Sequence, residues 1–512
     1  MKLVDTMEPV PIASAKDMRV MGHARTALVC GVVTAALASP SLARLARADE
    51  PIAPGEPRLM SETAEITSVV DAFDTDDPFD LNLMVGFHQS WKSANIRRET
   101  NISQPGLSTG GVLSANENIA SYKQTTSTLD MGADIGIYKD LAIIFRLPLI
   151  LSDNRSLGDL GGSSKIQSQL LADPTGGQLF SIPFKSPTRS GIDYFSVGLD
   201  WAIFNQQRDW TKPTWVIGVD GRFGVGAPLH ACNANAPAGQ PQCLDPSNPT
   251  STTSRSPGIS RGMDGVEVRT VFSRRYGYVE PYMGFSMLAE FPESSTDFGQ
   301  TNGLAGSLLN HPPLLGTFST GVEVIPWERR EQFQRLVGDL RLSATYHSAG
   351  REYTELFDAL GSSQAHSLRT PNPSSYGQGS NGTSQAMYGS GTAASFAGGI
   401  PFTGITDQQA FGSMTLGGTA TWQAGEYVKF LFGLGFTYNQ THLITAADAC
   451  NPNLGGGNIY ESGPCKTNTA TSQTATGIPN PNHRDVIDLP GNRFSSDGAT
   501  VVDLYISGVV MF

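Results

Sequence analysis

Three stretches of the chain place an acidic residue two positions before an arginine: Asp220/Arg222, Glu267/Arg269 and Asp339/Arg341. Each stretch alternates polar with apolar residues, which is typical of a β-strand. Side chains two positions apart on a strand point to the same face, so each stretch predicts opposite charges side by side on a polar face. The chemistry that this spacing favours is electrostatic: ion pairs that either fill an interior or line a polar path.

The cysteines predict covalent cross-links. Cys232 and Cys243 form one close pair and Cys450 and Cys465 a second, both in stretches rich in Gly, Pro and Asn. In an exported protein this arrangement favours two local disulfides. Zinc bound by four thiolates is the alternative, but the spacing within each pair does not match a zinc knuckle. We therefore expect no metal and no cofactor.

The first residues have the pattern of an export signal. Basic residues precede an apolar stretch at 27–38, and the tripeptide at 46–48 fits the small-x-small cleavage pattern. This predicts a signal peptide over 1–48, with Met18 or Met21 as the alternative start. The apolar stretch is too short for a spanning helix, which needs about 20 residues.

The composition of the 512-residue chain excludes several classes of protein. Its formal net charge of −12 argues against nucleic acid as a partner, since nucleic acid attracts a basic surface. No segment after the signal reaches the apolar length of a spanning helix. An exported chain of this kind is either secreted or a membrane barrel, because only helices and closed barrels cross a bilayer.

Period-two alternation recurs along the chain and predicts twelve strands. They are expected at 79–91, 124–138, 141–152, 192–204, 214–226, 263–273, 278–291, 314–326, 335–347, 410–423, 427–440 and 499–512. One face of each is apolar, whereas the other carries Gly, Ser, Thr and charged residues. The connections alternate between tight turns and long loops, with long loops expected at 92–123, 153–191, 227–262, 292–313, 348–409 and 441–498. Both predicted disulfides fall in long loops.

The last strand carries a resemblance to a known class. Leu504, Ile506, Val510 and Phe512 share one face, and the chain ends on the aromatic Phe512. This resembles the C-terminal targeting strand of Gram-negative outer-membrane β-barrel proteins, which the barrel-assembly machinery recognises. The resemblance implies an all-β, closed, antiparallel twelve-stranded transmembrane barrel over 79–512, with short periplasmic turns, long external loops and outer-membrane lipid around it. Its last strand must pair with its first, because an unpaired edge is not tolerated in lipid.

The parity that turns apolar residues to lipid turns charged residues towards the lumen. These lumen candidates are Asp130, Asp134, Arg146, Asp200, Asp220, Arg222, Glu267, Arg269, Glu280, Glu290, Glu323, Asp339, Arg341 and Lys429. A three-residue turn at 139–141 would put Asp134 opposite Arg146. The acidic excess predicts a path for cations or neutral solutes, and the alternative is a structural filling of paired charges.

Two segments are candidates to block the lumen. Residues 49–78 form a periplasmic segment, in which 61–73 has a Ser N-cap and the apolar spacing of a short helix. It either enters the periplasmic mouth or remains a flexible tether. Residues 353–361 have the pattern of one or two helical turns ended by Gly361, and we expect them to fold inward as a constriction.

The function predicted is passive passage of small solutes across the outer membrane. Some barrels of this size are phospholipases, which need a Ser nucleophile and a His base on the lipid-facing wall. Only His442 is predicted to point outward, no serine is placed beside it, and His88 and His347 point inward. The chain is therefore not expected to be an enzyme. A surface adhesin and a transporter of hydrophobic compounds remain alternatives, the latter disfavoured by the charged lumen.

Overall fold

The computed structural model describes residues 64–72, 80–103, 112–159, 171–173, 177–246, 251–299, 307–369, 402–451 and 478–512. The chain divides into two units. One comprises Met1–Pro51 and Tyr276–Val279, of which only the turn at 276–279 is described, closed by a hydrogen bond from Tyr276 N to Val279 O of 2.8 Å. The other comprises Ile52–Arg275 and Glu280–Phe512.

Twelve long strands follow one another around one antiparallel sheet. They are β1 Leu81–Ser103, β2 Val112–Tyr138, β3 Leu141–Gly158, β4 Tyr194–Phe204, β5 Thr214–Gly224, β6 Met263–Ser273, β7 Val279–Pro292, β8 Leu315–Arg329, β9 Gln334–His347, β10 Phe411–Gly425, β11 Val428–Asn439 and β12 Phe494–Met511. Each pairs with its neighbour in sequence, and β12 also pairs with β1, which closes the barrel. The predicted fold, strand number and strand order are confirmed.

The closing seam involves the end of the chain. Val510 lies opposite Leu83 in the register, and Phe512 and Leu81 exchange two backbone hydrogen bonds of 2.9 and 3.1 Å. The last residue is therefore part of the ladder that removes both sheet edges. Recognition of this strand by an assembly machinery remains a prediction.

The outer face of the barrel is apolar, as the alternation predicted. Leu434 is 62% exposed and Val85 57% exposed, although both lie in the middle of strands. Comparable exposed side chains occur on the other strands, among them Trp201, Phe285, Leu340 and Leu416. A continuous apolar exterior of this size is typical of a barrel that is surrounded by lipid hydrocarbon and not by water.

The strands next to the closing seam are longer than predicted. β1 has 23 residues, β2 has 27, and β3 and β12 have 18 each. The loop predicted over 92–123 is therefore wrong, because β1 and β2 continue as a hairpin and only 104–111 lies outside the described residues. Above Trp91 the polarity reverses: Ser93 is exposed, whereas Ala94 and Ile96 are buried.

Shorter elements occupy the external connections. The short strands Phe184–Lys185 and Arg189–Ile192 pair with β3, and His442–Leu443 pairs with β12. Two further short pairs join Gly350–Glu352 to Thr406–Gln408 and Cys450–Asn451 to Ile478–Pro479. These connections also contain three short helices, α1 Phe357–Gly361, α2 His366–Arg369 and α3 Asp485–Asp488. Within the residues described, no helix has the length and apolar character to cross a membrane.

Candidate functional site: the charged barrel interior

Arg269 joins three neighbouring strands on the inner face. Its guanidinium contacts Asp220 on β5 and donates to both carboxylate oxygens of Asp200 on β4, at 2.5 Å each. Gly218 makes room for this contact, because a Cβ there would lie 2.3 Å from Asp200 Oδ1 and 2.6 Å from Arg269 Nε. The sequence placed these charges on one face, and the barrel brings them into one cluster.

Two further arginines of the predicted set bind carboxylates on adjacent strands. Arg222 Nη2 donates to Glu267 Oε2 at 2.5 Å, and Arg146 forms an ion pair with Asp134. The predicted register of the second pair is wrong: Arg146 lies opposite Gly132. The turn has two residues rather than three, with Lys139 at a positive φ of 44°, and a β-bulge between Gly136 and Tyr138 shifts the register by one more residue, so the ion pair is diagonal.

Tyr282 connects the third acid-x-base pair. Its hydroxyl donates to Asp339 Oδ1 at 2.6 Å and accepts from Arg341 Nε at 2.9 Å, while Arg341 also contacts Asp339 at 3.3 Å. The phenol thereby fixes both charged side chains. Sequence reasoning missed Tyr282, although its alternation with the outward Met283 indicated an inner position.

A histidine and an acid that were not among the predicted lumen residues meet across the closing seam. His88 Nε2 lies 3.0 Å from Asp503 Oδ1, and the His88 ring is 5.0 Å from the ring of Tyr505. Asp130, which was predicted, lies opposite Gly86, one inner-face position from His88. The sequence could not pair these groups because His88 and Asp503 are 415 residues apart.

The described N-terminal residues 64–72, here called the plug, contact the inner face at the end where the turns are short. Lys429 Nζ lies 2.8 Å from Glu65 Oε1, and Glu65 N donates to Glu323 Oε1 at 2.8 Å. The α-helix predicted at 61–73 is wrong over the described part, which has only a 3-10 turn, Glu65–Thr67. The apolar spacing was too short to sustain a helix against these side-chain contacts.

The plug meets the predicted acid Glu280 through hydroxyl groups. Thr67 Oγ1 lies 2.8 Å from Ser273 Oγ, which donates to Glu280 Oε1 at 2.6 Å. Glu290, the other predicted acid, binds Arg261 at 2.9 Å, and Arg261 also binds Glu352 at 2.8 Å. Arg261 was not predicted because it precedes β6 and has no strand parity.

Residues 353–369, here called the cap, pack against the extended β1–β2 hairpin at the opposite end of the barrel. The helical turn predicted at 353–361 is present as α1, and all five of its residues are buried. Leu356, Leu360 and Leu368 pack with Ile96 and Ile119 of the extended β1–β2 hairpin in one apolar core. The inverted polarity of that hairpin is thereby explained: above the hydrocarbon, its inner face receives the cap.

Two ion pairs hold the cap to its surroundings. Arg189 donates to both oxygens of Asp358, at 3.0 and 2.6 Å, and its side chain is 0% exposed. Lys92 Nζ lies 2.9 Å from Glu355 Oε1. Burial opposes ionisation of Glu355, but the charge of Lys92 outweighs it and lowers the pKa to about 2. This ion pair therefore stabilises the cap above about pH 4.5 and is lost as the pH falls towards 2.

The disulfide predicted between Cys232 and Cys243 is present, whereas Cys465 lies outside the described residues. Peptide mapping without reductant is expected to recover Cys232 linked to Cys243, and recovery of either as a free thiol would contradict this. Loss of the bond should destabilise the loop by about 3 kcal/mol, because the cross-link restricts the unfolded segment. The measurement is faster tryptic cleavage at Arg255 in Cys232→Ser than in the parent protein.

The interior also contains a serine beside a histidine. Ser413 Oγ lies 3.3 Å from His347 Nε2, and the His347 ring stacks on Phe411, which stacks in turn on His442. The prediction that His442 points outward is wrong, since it is buried in this stack. Within the described chain, no carboxylate hydrogen-bonds to His347 to orient it as a base. Nor do the described residues bring three metal-binding side chains together.

A closed sheet with apolar side chains outside and ion pairs inside is the arrangement of bacterial outer-membrane proteins. The chain is a β-barrel of the outer-membrane class. No family model and no curated protein matches it.

Three solved structures are similar to the chain at low scores. An outer membrane channel from Pseudomonas putida F1 has a TM-score of 0.32 at 9% identity, covering 86% of this chain and 99% of its own. The monoaromatic hydrocarbon channel TodX has 0.32 at 8% identity, covering 89% and 94%. A Pseudomonas aeruginosa FadL homologue has 0.30 at 8% identity, covering 91% and 96%. Similarities this low assign neither a family nor a substrate to this chain.

Proposed function

We propose that the protein is an outer-membrane channel for passive passage of small polar solutes, with the plug and the cap at the two ends of its lumen. The observation that carries this proposal is the charged inner face between the plug and the cap. A barrel that served only as a scaffold needs no solvated ion pairs in its middle. Here the side chain of Arg341 is 39% exposed and that of Arg146 is 34% exposed.

The contacts of the plug also support a conduit. Its described side-chain contacts with the wall are polar, and the side chain of Glu65 remains 40% exposed. Partly solvated ion pairs contribute only about 0–1 kcal/mol each. The ion pair of Asp71 with Arg208 and the backbone bridge between Ala72 and Lys139 also hold the plug. Release of this small set of contacts costs less free energy than release of a plug packed in an apolar core.

The alternatives make different demands on the structure. An adhesin would present apolar and aromatic loop residues to a partner, but α1 buries its apolar residues within the cap. A transporter of hydrophobic compounds would need an apolar path, yet the described inner face between plug and cap carries ion pairs. An enzyme would need His347 to be oriented by an acid.

Planar-bilayer recording of the refolded protein tests the proposal. We expect discrete conductance steps in a bilayer that contains the protein and none in a bilayer given detergent alone. Liposomes that contain the protein should swell in a neutral pentose. Silence at every voltage, for the intact chain and for a variant that lacks residues 64–72, would remove the channel. Hydrolysis of added phospholipid by the purified protein would favour the enzyme instead.

A further inference from the structure

The arginines of the interior are more exposed than the acids that they bind. The side chain of Arg269 is 29% exposed, but those of Asp200 and Asp220 are 10% exposed each. Arg341 is 39% exposed against 9% for Asp339. The carboxylates therefore lie against the wall, and the guanidinium groups lie between them and the interior solvent.

In the other two ion pairs the arginine is again more exposed than the acid, although the difference is smaller. Arg222 is 28% exposed against 21% for Glu267, and Arg146 is 34% exposed against 25% for Asp134. These four arginines lie on β3, β5, β6 and β9, so they are distributed around the wall. A mobile ion that passes them meets positive groups first.

The other acids of the inner face do not cancel this effect. Glu280 and Glu323 are 3% and 5% exposed and lie under the plug. Asp503 is 17% exposed against 30% for its partner His88. Asp130 is half-buried, and its charge opposes that of the arginines. Interaction with an ion falls with distance and rises with loss of water, so exposed charges dominate the selectivity of a pore.

Two of the arginines are also fixed in orientation. Arg222 lies over the ring of Tyr194 and Arg341 over the ring of Tyr282, with 5.5 Å between guanidinium carbon and ring centroid in each case. A planar guanidinium held in this way can bind a carboxylate through two parallel N–H groups. A lysine would offer a point charge without that geometry.

We propose that the channel selects anions and binds small monocarboxylates through Arg146, Arg222, Arg269 and Arg341. This inference rests on the proposed channel function and specifies its solute class. A single negative charge is favoured because each arginine already has a carboxylate partner, so a dianion would be repelled by the acids behind it. Formal charge counting predicts cation preference, whereas the exposure of the side chains predicts the reverse.

The experiment measures the reversal potential of the intact chain in a tenfold KCl gradient, because removal of residues 64–72 would also expose Glu280 and Glu323 and so change the selectivity. We expect the sign that corresponds to chloride permeation. Arg222→Gln together with Arg341→Gln should reduce the permeability ratio of chloride to potassium by about threefold or more. Arg97→Gln is the matched control, because Arg97 is 35% exposed and faces away from the core that contains Ile96, on the extension of β1 outside the described interior. It should leave the ratio unchanged.

Benzoate then tests the carboxylate site. We expect benzoate to block the chloride current in a concentration-dependent manner, and Arg341→Lys to keep anion preference while weakening that block. Arg269 is not substituted, because its loss would leave the carboxylates of Asp200 and Asp220 without their counter-ion. Heat-modifiable gel migration verifies that each variant is folded. A conducting protein that prefers potassium, or benzoate block unchanged in Arg341→Lys, would overturn this inference and leave the channel intact. A silent bilayer would instead remove the channel function.

Discussion

Removal of residues 64–72 is expected to raise single-channel conductance severalfold. The deletion removes contacts that hold the plug on the inner face, which include the ion pair between Glu65 and Lys429, the contact of Thr67 with Ser273 and the backbone bridge between Ala72 and Lys139. The barrel itself should remain folded, because no residue of the twelve strands is lost and the closing seam between β1 and β12 is intact. Planar-bilayer recording measures the change.

Two variants sharpen this test. Glu65→Ala should give an intermediate rise, because it removes the ion pair but keeps the chain in place. Asp209→Asn changes a charge in the turn at 205–213, where Asp209 contacts only Thr211 and Lys212 among its described partners. It is expected to leave conductance unaltered. If the deletion conducts no better than Asp209→Asn, the segment does not obstruct the mouth.

Asp358→Ala is expected to release the cap. The substitution leaves the fully buried guanidinium of Arg189 without its carboxylate, and breaking such a pair costs about 3–5 kcal/mol. This free-energy cost should exceed the stabilisation that packing alone gives to the short helix α1. We therefore expect rapid tryptic cleavage in the external loops of the folded barrel, with unchanged heat-modifiable migration.

Glu355→Gln is the matched control within the cap. It breaks the ion pair with Lys92, but the side chain of Lys92 is 28% exposed and stays hydrated, so no buried charge is left unpaired and the expected cost is smaller than that of Asp358→Ala. The double change Asp358→Leu with Arg189→Met should restore much of the protease resistance, because it removes both buried charges. Equal sensitivity of Asp358→Ala and Glu355→Gln would show that the Arg189 ion pair does not hold the cap.

The two tests are independent because the plug and the cap contact different parts of the barrel. The plug contacts Ser273, Glu323 and Lys429, whereas the cap contacts Lys92 and Arg189. If both ends obstruct the lumen, the deletion and Asp358→Ala combined should conduct more than either alone. If only the cap obstructs it, the combined variant should match Asp358→Ala.

The sequence alone determined the barrel. Hydrocarbon outside and water inside impose opposite preferences on successive side chains, so period-two alternation was readable wherever a strand crosses the membrane, as at β6 and β11. Pairing of the last strand with the first followed from the same physics, since an open edge is not tolerated in lipid.

Only the tertiary structure decided two features: how the strands continue beyond the apolar belt, and which charged side chains pair in the barrel interior. The β1–β2 extension was invisible because Ala94 and Ile96 face a core that is completed by residues of the cap, among them Leu356 and Leu360, which are distant in sequence. The pairing of Arg146 depended on a two-residue turn and an adjacent β-bulge, and the pairing of His88 on the residue register at the closing seam. Which member of an ion pair faces solvent is a matter of side-chain packing across several strands, and local alternation carries no signal for it.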